Sequence, residues 1–396
     1  MIFLSTKRSQ SASTETLCTW EGRNVTVTLA QILLEWYDLR GRDLPWRRNP
    51  TSYSTLVSEI MLQQTRVEAV LPLYERFMGR FPSIQVLAAA SQDEVLTYWQ
   101  GLGYYSRARR LHQAAQIIVA EHDGSIPHNK ETLRSLPGIG DYTCGAMLSI
   151  AFGKPEIAID GNLLRIGARL FLIQDPINRM KIKAQIQAKF KELVPTERPG
   201  DFNQALMDLG SAICLPKNPR CEECPISHHC QAYFKGAVLA LPIKDAPKPP
   251  VPVQVRLYLV ESQGAILFRK REFGGFLQGM WELPWCEIPS QISRTALKVA
   301  EEHNWLSPKL EPCDPLEIYE MEYVFSHRHW FMTIFHYNVT DQFYTPKEKD
   351  TLYLWQPIDA IDEIALPTVF KKALKMRPYF SFVLITLALA SFEGLL

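Results

Sequence analysis

The sequence predicts a multidomain protein: an all-α domain, a short linker, and a smaller α+β domain. Three observations carry this. Apolar residues recur at three- and four-residue spacing from about Thr28 to Phe234. Prolines crowd "LPIKDAPKPPVPV", Leu241 to Val253, and favour an extended path. Beyond it, β-branched and aromatic residues alternate, as strands require. A chain of 396 residues accommodates two or three cores, and its 46% hydrophobic and 21% charged content is that of an ordinary globular protein. The net charge of +1 neither demands nor excludes a polyanionic partner, so any basic surface must be local.

In chain order, residues 1–27 form an extension whose start, "MIFLSTKRSQ", lacks the pattern of a secretory signal. Helical periodicity then marks "LAQILLEWYDL", "YSTLVSEIMLQQTRVEAVLPLYERF", "DEVLTYWQGL" and "RARRLHQAAQIIVAEH", with breaks at Pro50, Pro82, Gly124, Pro127 and Pro137–Gly138. Glu59 falls among apolar neighbours in "STLVSEIMLQQT". Desolvation there would raise its pKa toward a value useful to a general acid; the alternative is a glutamate on the helix surface. "GLGYYSRARR" sets Arg107, Arg109 and Arg110 beside paired tyrosines, a composition suited to phosphate contact and base stacking, or to a plain solvated face.

"LPGIGDYT" is a turn between two helical stretches, and Gly138 and Gly140 leave backbone N–H groups open to a phosphate. A plain helix–turn–helix corner is the competing reading. Asp160, before Gly161 in "EIAIDGNLLRI", suits a helix N-cap or a second functional carboxylate. Cys214, Cys221, Cys224 and Cys230 follow the spacing C-x6-C-x2-C-x5-C. Cys18, Cys144, Cys286 and Cys313 are scattered, which favours a reducing compartment and makes metal binding by the cluster preferable to disulfides. Spacing alone leaves iron–sulfur and zinc open, with iron–sulfur ahead because only one C-x2-C pair is tight.

In the second domain, "VQVRLYLVES", "AILFRKRE" and "EYVFSHRHWFMTIFHYNV" read as strands, and "FGGFLQGMW" as a glycine-rich loop. Helices are expected over "SRTALKVAEEH" and near "LPTVFKKALK". The closing "FSFVLITLALASF" is too short for a comfortable membrane span and reads as a packed helix or an aberrant tail. A cytoplasmic protein that engages no membrane is expected.

Together, "LPWRRNP", "VSEIMLQQTRV", "GLGYYSRARRLHQAA", "LPGIGDYT", "DGNLLR", "FNQALMDLG" and the cysteine loop resemble the MutY-type adenine DNA glycosylases, in the endonuclease III-like helix–hairpin–helix superfamily. The resemblance implies a glycosylase domain over 28–235 and a Nudix-like domain over 253–376, joined by a linker over 236–252; the apolar tail over 377–396 departs from the family pattern and has no recognised counterpart. The resemblance also implies a 4Fe–4S cluster on Cys214, Cys221, Cys224 and Cys230. Glu59 matches the family's catalytic acid, Asp160 its second carboxylate, and Asn162 the residue that positions Asp160. Arg47 and Leu62 match pocket residues. Tyr142 stands where bifunctional relatives carry a Schiff-base lysine, which implies base hydrolysis without an intrinsic lyase step. Gln64, Thr65, Leu102 and Tyr104 match residues that wedge into the duplex, and Gly138 and Gly140 match the phosphate-binding hairpin.

Phe325, Ser326 and His327 in "FSHRHW" match a loop that senses 8-oxoguanine opposite the target adenine. "GGFLQGMWELPW" is similar to Nudix hydrolases, yet the metal-binding R-E-x-x-E-E run is missing: Glu301 and Glu302 lack the upstream Arg-Glu. A binding module without pyrophosphatase activity is implied. The expected partner is double-stranded DNA with adenine opposite 8-oxoguanine or guanine, bound by a monomer that is nucleoid-associated if bacterial. Two alternatives are an endonuclease III-like glycosylase/lyase on oxidised pyrimidines and a non-catalytic iron–sulfur DNA-binding protein.

Overall fold

The structure, a computed structural model, describes residues 15–20, 23–246, 248–271, 277–288, 315–325, 327–339 and 353–376, with backbone alone over 15–27. The chain divides into two compact units, Met1–Val95 with Arg107–Ala246, and Leu96–Ser106 with Pro247–Leu396. The expected helix over "SRTALKVAEEH", Glu301, Glu302, Ser326 and the tail over 377–396 lie outside the described residues.

The first unit opens with the hairpin β1 (Glu15–Trp20) and β2 (Arg23–Thr28), followed by α1 (Leu29–Arg40) and the single turn α2 (Pro45–Arg48). Thr28 starts α1 through a capping box with Gln31, and Thr51 starts α3 (Ser52–Leu62) through another with Ser54. There follow α4 (Val67–Arg80), α5 (Ile84–Ala89), α6 (Gln92–Tyr98), whose last residues fall in the second unit, and α7 (Ser106–Glu121). The next elements are α8 (Lys130–Ser135), α9 (Asp141–Ala146) and a π-helical turn, Met147–Ala151. Asn129 caps α8, and Gly138 takes φ +84° in the α8–α9 turn, a conformation glycine adopts without strain.

Beyond the turn lie α10 (Gly161–Leu170), α11 (Met180–Lys191), α12 (Pro199–Ala212) and the short α13 (Gln231–Phe234). Leu163, Ile166, Ile186, Phe190, Phe202, Leu206 and Leu209 join α1, α10, α11 and α12 in one core. Burial of each large side chain in it contributes about 1.5–3 kcal/mol. Gly210 brings α12 against α10, since a Cβ there would fall 2.6 Å from Asn162 Cβ.

The second unit is built on a seven-stranded mixed sheet: β3 (Val251–Ser262), β4 (Ala265–Lys270), β5 (Trp281–Glu282), β6 (Trp285–Ile288), β7 (Glu317–Val324), β8 (Arg328–Asn338) and β9 (Tyr353–Pro357). The main path is β5-β4-β3-β8-β7; β3 and β8 run parallel with Val251 opposite Arg328, and β7 pairs antiparallel with β8. Helix α14 (Thr368–Leu374) packs Phe370 against Trp330, ring centroids 6.4 Å apart. The alternating pattern that predicted strands is that of β3, β4, β7 and β8. Among the described residues, no helix is long and apolar enough to cross a membrane.

Candidate active site

Glu59 occupies the last turn of α3 at 5% exposure, and so is not a surface glutamate. Its Oε2 accepts from Tyr142 Oη at 2.6 Å, leaving Oε1 to carry a proton. Burial pushes the Glu59 carboxyl up to about 7, and the Asp160 charge adds to this. The Tyr142 bond and the Arg47 charge oppose it. Burial, then Glu59, drives the Tyr142 phenol well above its ordinary value, so it is a donor throughout the neutral range.

Asp160 is the N-cap its sequence context allowed, and the same carboxylate faces the cavity that Glu59 lines. As N-cap of α10 its Oδ1 accepts from Leu163 N at 2.7 Å, while Oδ2 accepts from Asn162 Nδ2 at 2.9 Å. Burial raises its pKa against the pull of those two bonds. Asn162 Oδ1 accepts in turn from Arg165 Nη2 at 2.8 Å, and Arg165 also donates to the Gly210 and Cys214 carbonyls. One cavity of about 310 Å³ is lined by Glu59, Tyr142, Asp160, Asn162, Arg47, Leu62 and Thr65. It can accommodate a planar base between a protonatable acid and an oriented carboxylate.

An adjoining groove of about 750 Å³ gathers Gln64, Gly138, Gly140 and Arg110, and shares Leu62, Tyr142 and Asp160 with the cavity. Gln64 has φ +58°, an uncommon conformation for a side-chain-bearing residue. Leu102 is buried, whereas Tyr104 is 54% exposed and Gly103 has φ +66°. Phe325 packs against Tyr323 and Trp330 at 4.7 and 5.0 Å between ring centroids, and the next described residue, His327, is exposed.

Arg107 departs from the phosphate-contact reading. It is buried, and its Nη1 donates to the carbonyls of Ile60, Met61 and Gln63 at 2.6–2.9 Å while Nη2 reaches Thr65 Oγ1 at 3.0 Å. The guanidinium thus satisfies carbonyls that the end of α3 leaves open. Of the three arginines, only Arg110 lines the groove.

Sequence reasoning also passed over Asp208 and Arg42. Asp208, 1% exposed on α12, binds both Arg42 and Arg47. An aspartate inside the apolar run "ALMDLG" was the available signal, because acids are rarely buried without partners.

Cys214, Cys221, Cys224 and Cys230 are free thiols that line one small cavity with Arg169 and Tyr233. Burial pushes Cys224 up to about 12, with the neighbouring thiols adding to it, so four thiolates here require a compensating metal charge. Thiols arranged around a cavity fit a polynuclear iron–sulfur group. Arg169 Nη1 lies 3.3 Å from Cys214 Sγ, where it can donate to a thiolate.

The family model described as HhH-GPD superfamily base excision DNA repair protein matches residues 57–195. The iron-sulfur binding domain of endonuclease III matches 214–230, and the NUDIX domain matches 255–376. Among curated relatives, the adenine DNA glycosylase of Rattus norvegicus is 36% identical over 350 residues, 74% of this chain and 67% of its own. That of Buchnera aphidicola (subspecies Baizongia pistaciae) is 35% identical over 263 residues, 66% of this chain and 73% of its own. The human relative is spanned over 64% of its length. A solved structure of a thermostable thymine-DNA glycosylase is 30% identical with a TM-score of 0.48, covering 52% of this chain and 95% of its own.

Proposed function

The chain belongs to the adenine DNA glycosylases, enzymes that hydrolyse N-glycosyl bonds in base excision repair and hold a 4Fe–4S cluster, and from that premise we propose that its substrate is adenine opposite 8-oxoguanine or guanine. The observation that carries the reading is Glu59: a buried carboxyl at about 7, donated to by Tyr142, in one cavity with Asp160. The extruded adenine enters that cavity and takes the Glu59 proton on its ring, which makes it a competent leaving group. As the C–N bond lengthens, the sugar gains oxocarbenium character, and Asp160, ionised and fixed by Leu163 N and Asn162, stabilises or captures it. Water then completes hydrolysis. Tyr142 cannot form an imine with the sugar, so strand scission is not part of the reaction.

Cys214, Cys221, Cys224 and Cys230 are the proposed cluster ligands. When bound, the cluster ties the 214–230 loop down and supplies a redox centre. Gly138, Gly140 and Arg110 are assigned to backbone phosphates, and Gln64, Thr65, Leu102 and Tyr104 to the distorted duplex. Phe325, Ser326 and His327 are assigned to the lesion opposite the adenine. The protein acts as a monomer on duplex DNA in the cytoplasm, or at the nucleoid in a bacterium.

Asp160→Asn tests the reading on a duplex with adenine opposite 8-oxoguanine. The substitution can retain the Leu163 cap, so base release is expected to fall at least about a hundredfold with duplex affinity nearly unchanged. Full activity in this variant would refute the assignment; parallel loss of affinity would reduce Asp160 to a structural cap.

A further inference from the structure

We infer that Asp208 is a positioning residue of the base pocket: it fixes the guanidinium groups of Arg42 and Arg47 in the cavity wall and offsets their charge beside Glu59. The inference rests on the adenine-excision reading. Asp208 Oδ2 accepts from Arg42 N at 2.9 Å and Arg47 Nη1 at 2.8 Å; Oδ1 accepts from Arg42 Nε at 2.7 Å and Arg47 Nη2 at 3.0 Å. With Arg42 Nη2 also 2.6 Å from Oδ1, nitrogens of the two arginines surround one buried carboxylate, and Arg47 presents both terminal nitrogens to it. On another side, the Arg47 guanidinium carbon lies 5.7 Å from the Tyr37 ring centroid. Arg47 therefore has little freedom to turn, and its side chain is only 11% exposed against 35% for Arg42. Burial alone would raise the Asp208 carboxyl, but the bonds from the two arginines outweigh it and hold the group ionised.

The charge matters because of what shares the cavity. Glu59 on α3 faces Arg47 from α2, Tyr142 from α9 and Asp160 at the start of α10. Arg66 and Glu68 line the same cavity, and Asp208 reaches Glu59 through Arg47. An uncompensated guanidinium in this low-dielectric wall would favour ionised Glu59 and withdraw the acid at neutral pH. It would also repel the cation that forms as base and sugar gain positive charge. A buried carboxylate clamped to Arg47 removes both penalties while keeping the guanidinium in place.

The test is single-turnover adenine release against pH, with full-length cluster-loaded protein in excess over a duplex carrying adenine opposite 8-oxoguanine. Release depends on protonated Glu59 and falls as pH rises through its pKa. Asp208→Asn is expected to move that alkaline midpoint down by about one pH unit, a tenfold loss on the limb. Arg47→Gln removes the opposing charge and is expected to move it up, and Asp208→Glu to restore the wild-type midpoint. Reduced rates with unmoved midpoints would leave Asp208 a structural residue and overturn the inference. If Asp208→Asn does not fold, Arg47→Gln decides: a midpoint that stays or falls overturns the charge-offset account. A wild-type protein that releases no adenine refutes the excision reading instead, and the inference falls with it.

Discussion

At the scale of single residues, Glu59 trades stability for chemistry. Its carboxyl rises from an ordinary 4.5 to about 7 in the fold because it is buried. The folded state therefore binds that proton more tightly than the unfolded chain, so the contribution to stability is full below about 4.5 and is lost as pH rises through 7. Glu59→Gln should abolish base release, a loss of at least about a hundredfold. It should also raise stability at pH 8 by on the order of 1–3 kcal/mol, with little change at pH 5, measured by thermal unfolding at the two pH values. Equal stability changes at both would contradict the assigned protonation. The position of Glu59 and Asp160 was legible in the sequence, because each lies inside a recognisable motif. The Asp208 clamp was not: its partners lie 166 and 161 residues away, and only folding brings them together.

At the scale of elements, the site is held by helix ends rather than by loops. Asp160 is presented because it must stand at the start of α10, and Glu59 because α3 ends one turn beyond it. The carbonyls left open at the end of α3 are met by Arg107, which composition left open between phosphate contact and a solvated face. Basic residues beside tyrosines look alike in sequence whether they face solvent or a helix terminus; burial alone separates Arg107 from Arg110. Arg107→Ala is expected to destabilise the protein by about 3 kcal/mol in denaturant unfolding, and Arg107→Lys to recover only part of that, since a single ammonium cannot span carbonyls from three residues and a hydroxyl. A neutral effect of Arg107→Ala would remove it from the framework. Where α12 crosses α10, Gly210→Ala should push Asn162 away from Asp160, lowering the excision rate and stability together, because the added Cβ has no room. Unchanged kinetics in that variant would show that Asn162 does not orient Asp160.

For the molecule as a whole, the change from helical to alternating periodicity across the proline run told correctly of a helical unit followed by a sheet-based one. It could not show that Leu96–Ser106 groups with the second unit, because the stretch carries the same helical pattern as its neighbours. The small net charge of +1 is consistent with a groove in which Arg110 is the basic side chain among amides, hydroxyls and the carboxylates of Asp141 and Asp160. Lesion preference is assigned to the second unit, so His327→Ala should narrow the rate ratio between 8-oxoguanine and guanine duplexes by several-fold while leaving excision intact; an unchanged ratio places discrimination elsewhere. The central claim, hydrolysis of adenine by Glu59 and Asp160 without lyase chemistry at Tyr142, is met most directly by one assay. Single-turnover product analysis on a duplex with adenine opposite 8-oxoguanine, with and without alkali, should yield free adenine and a strand break only after alkali. Spontaneous nicking, or release of an oxidised pyrimidine such as thymine glycol in place of adenine, would contradict it.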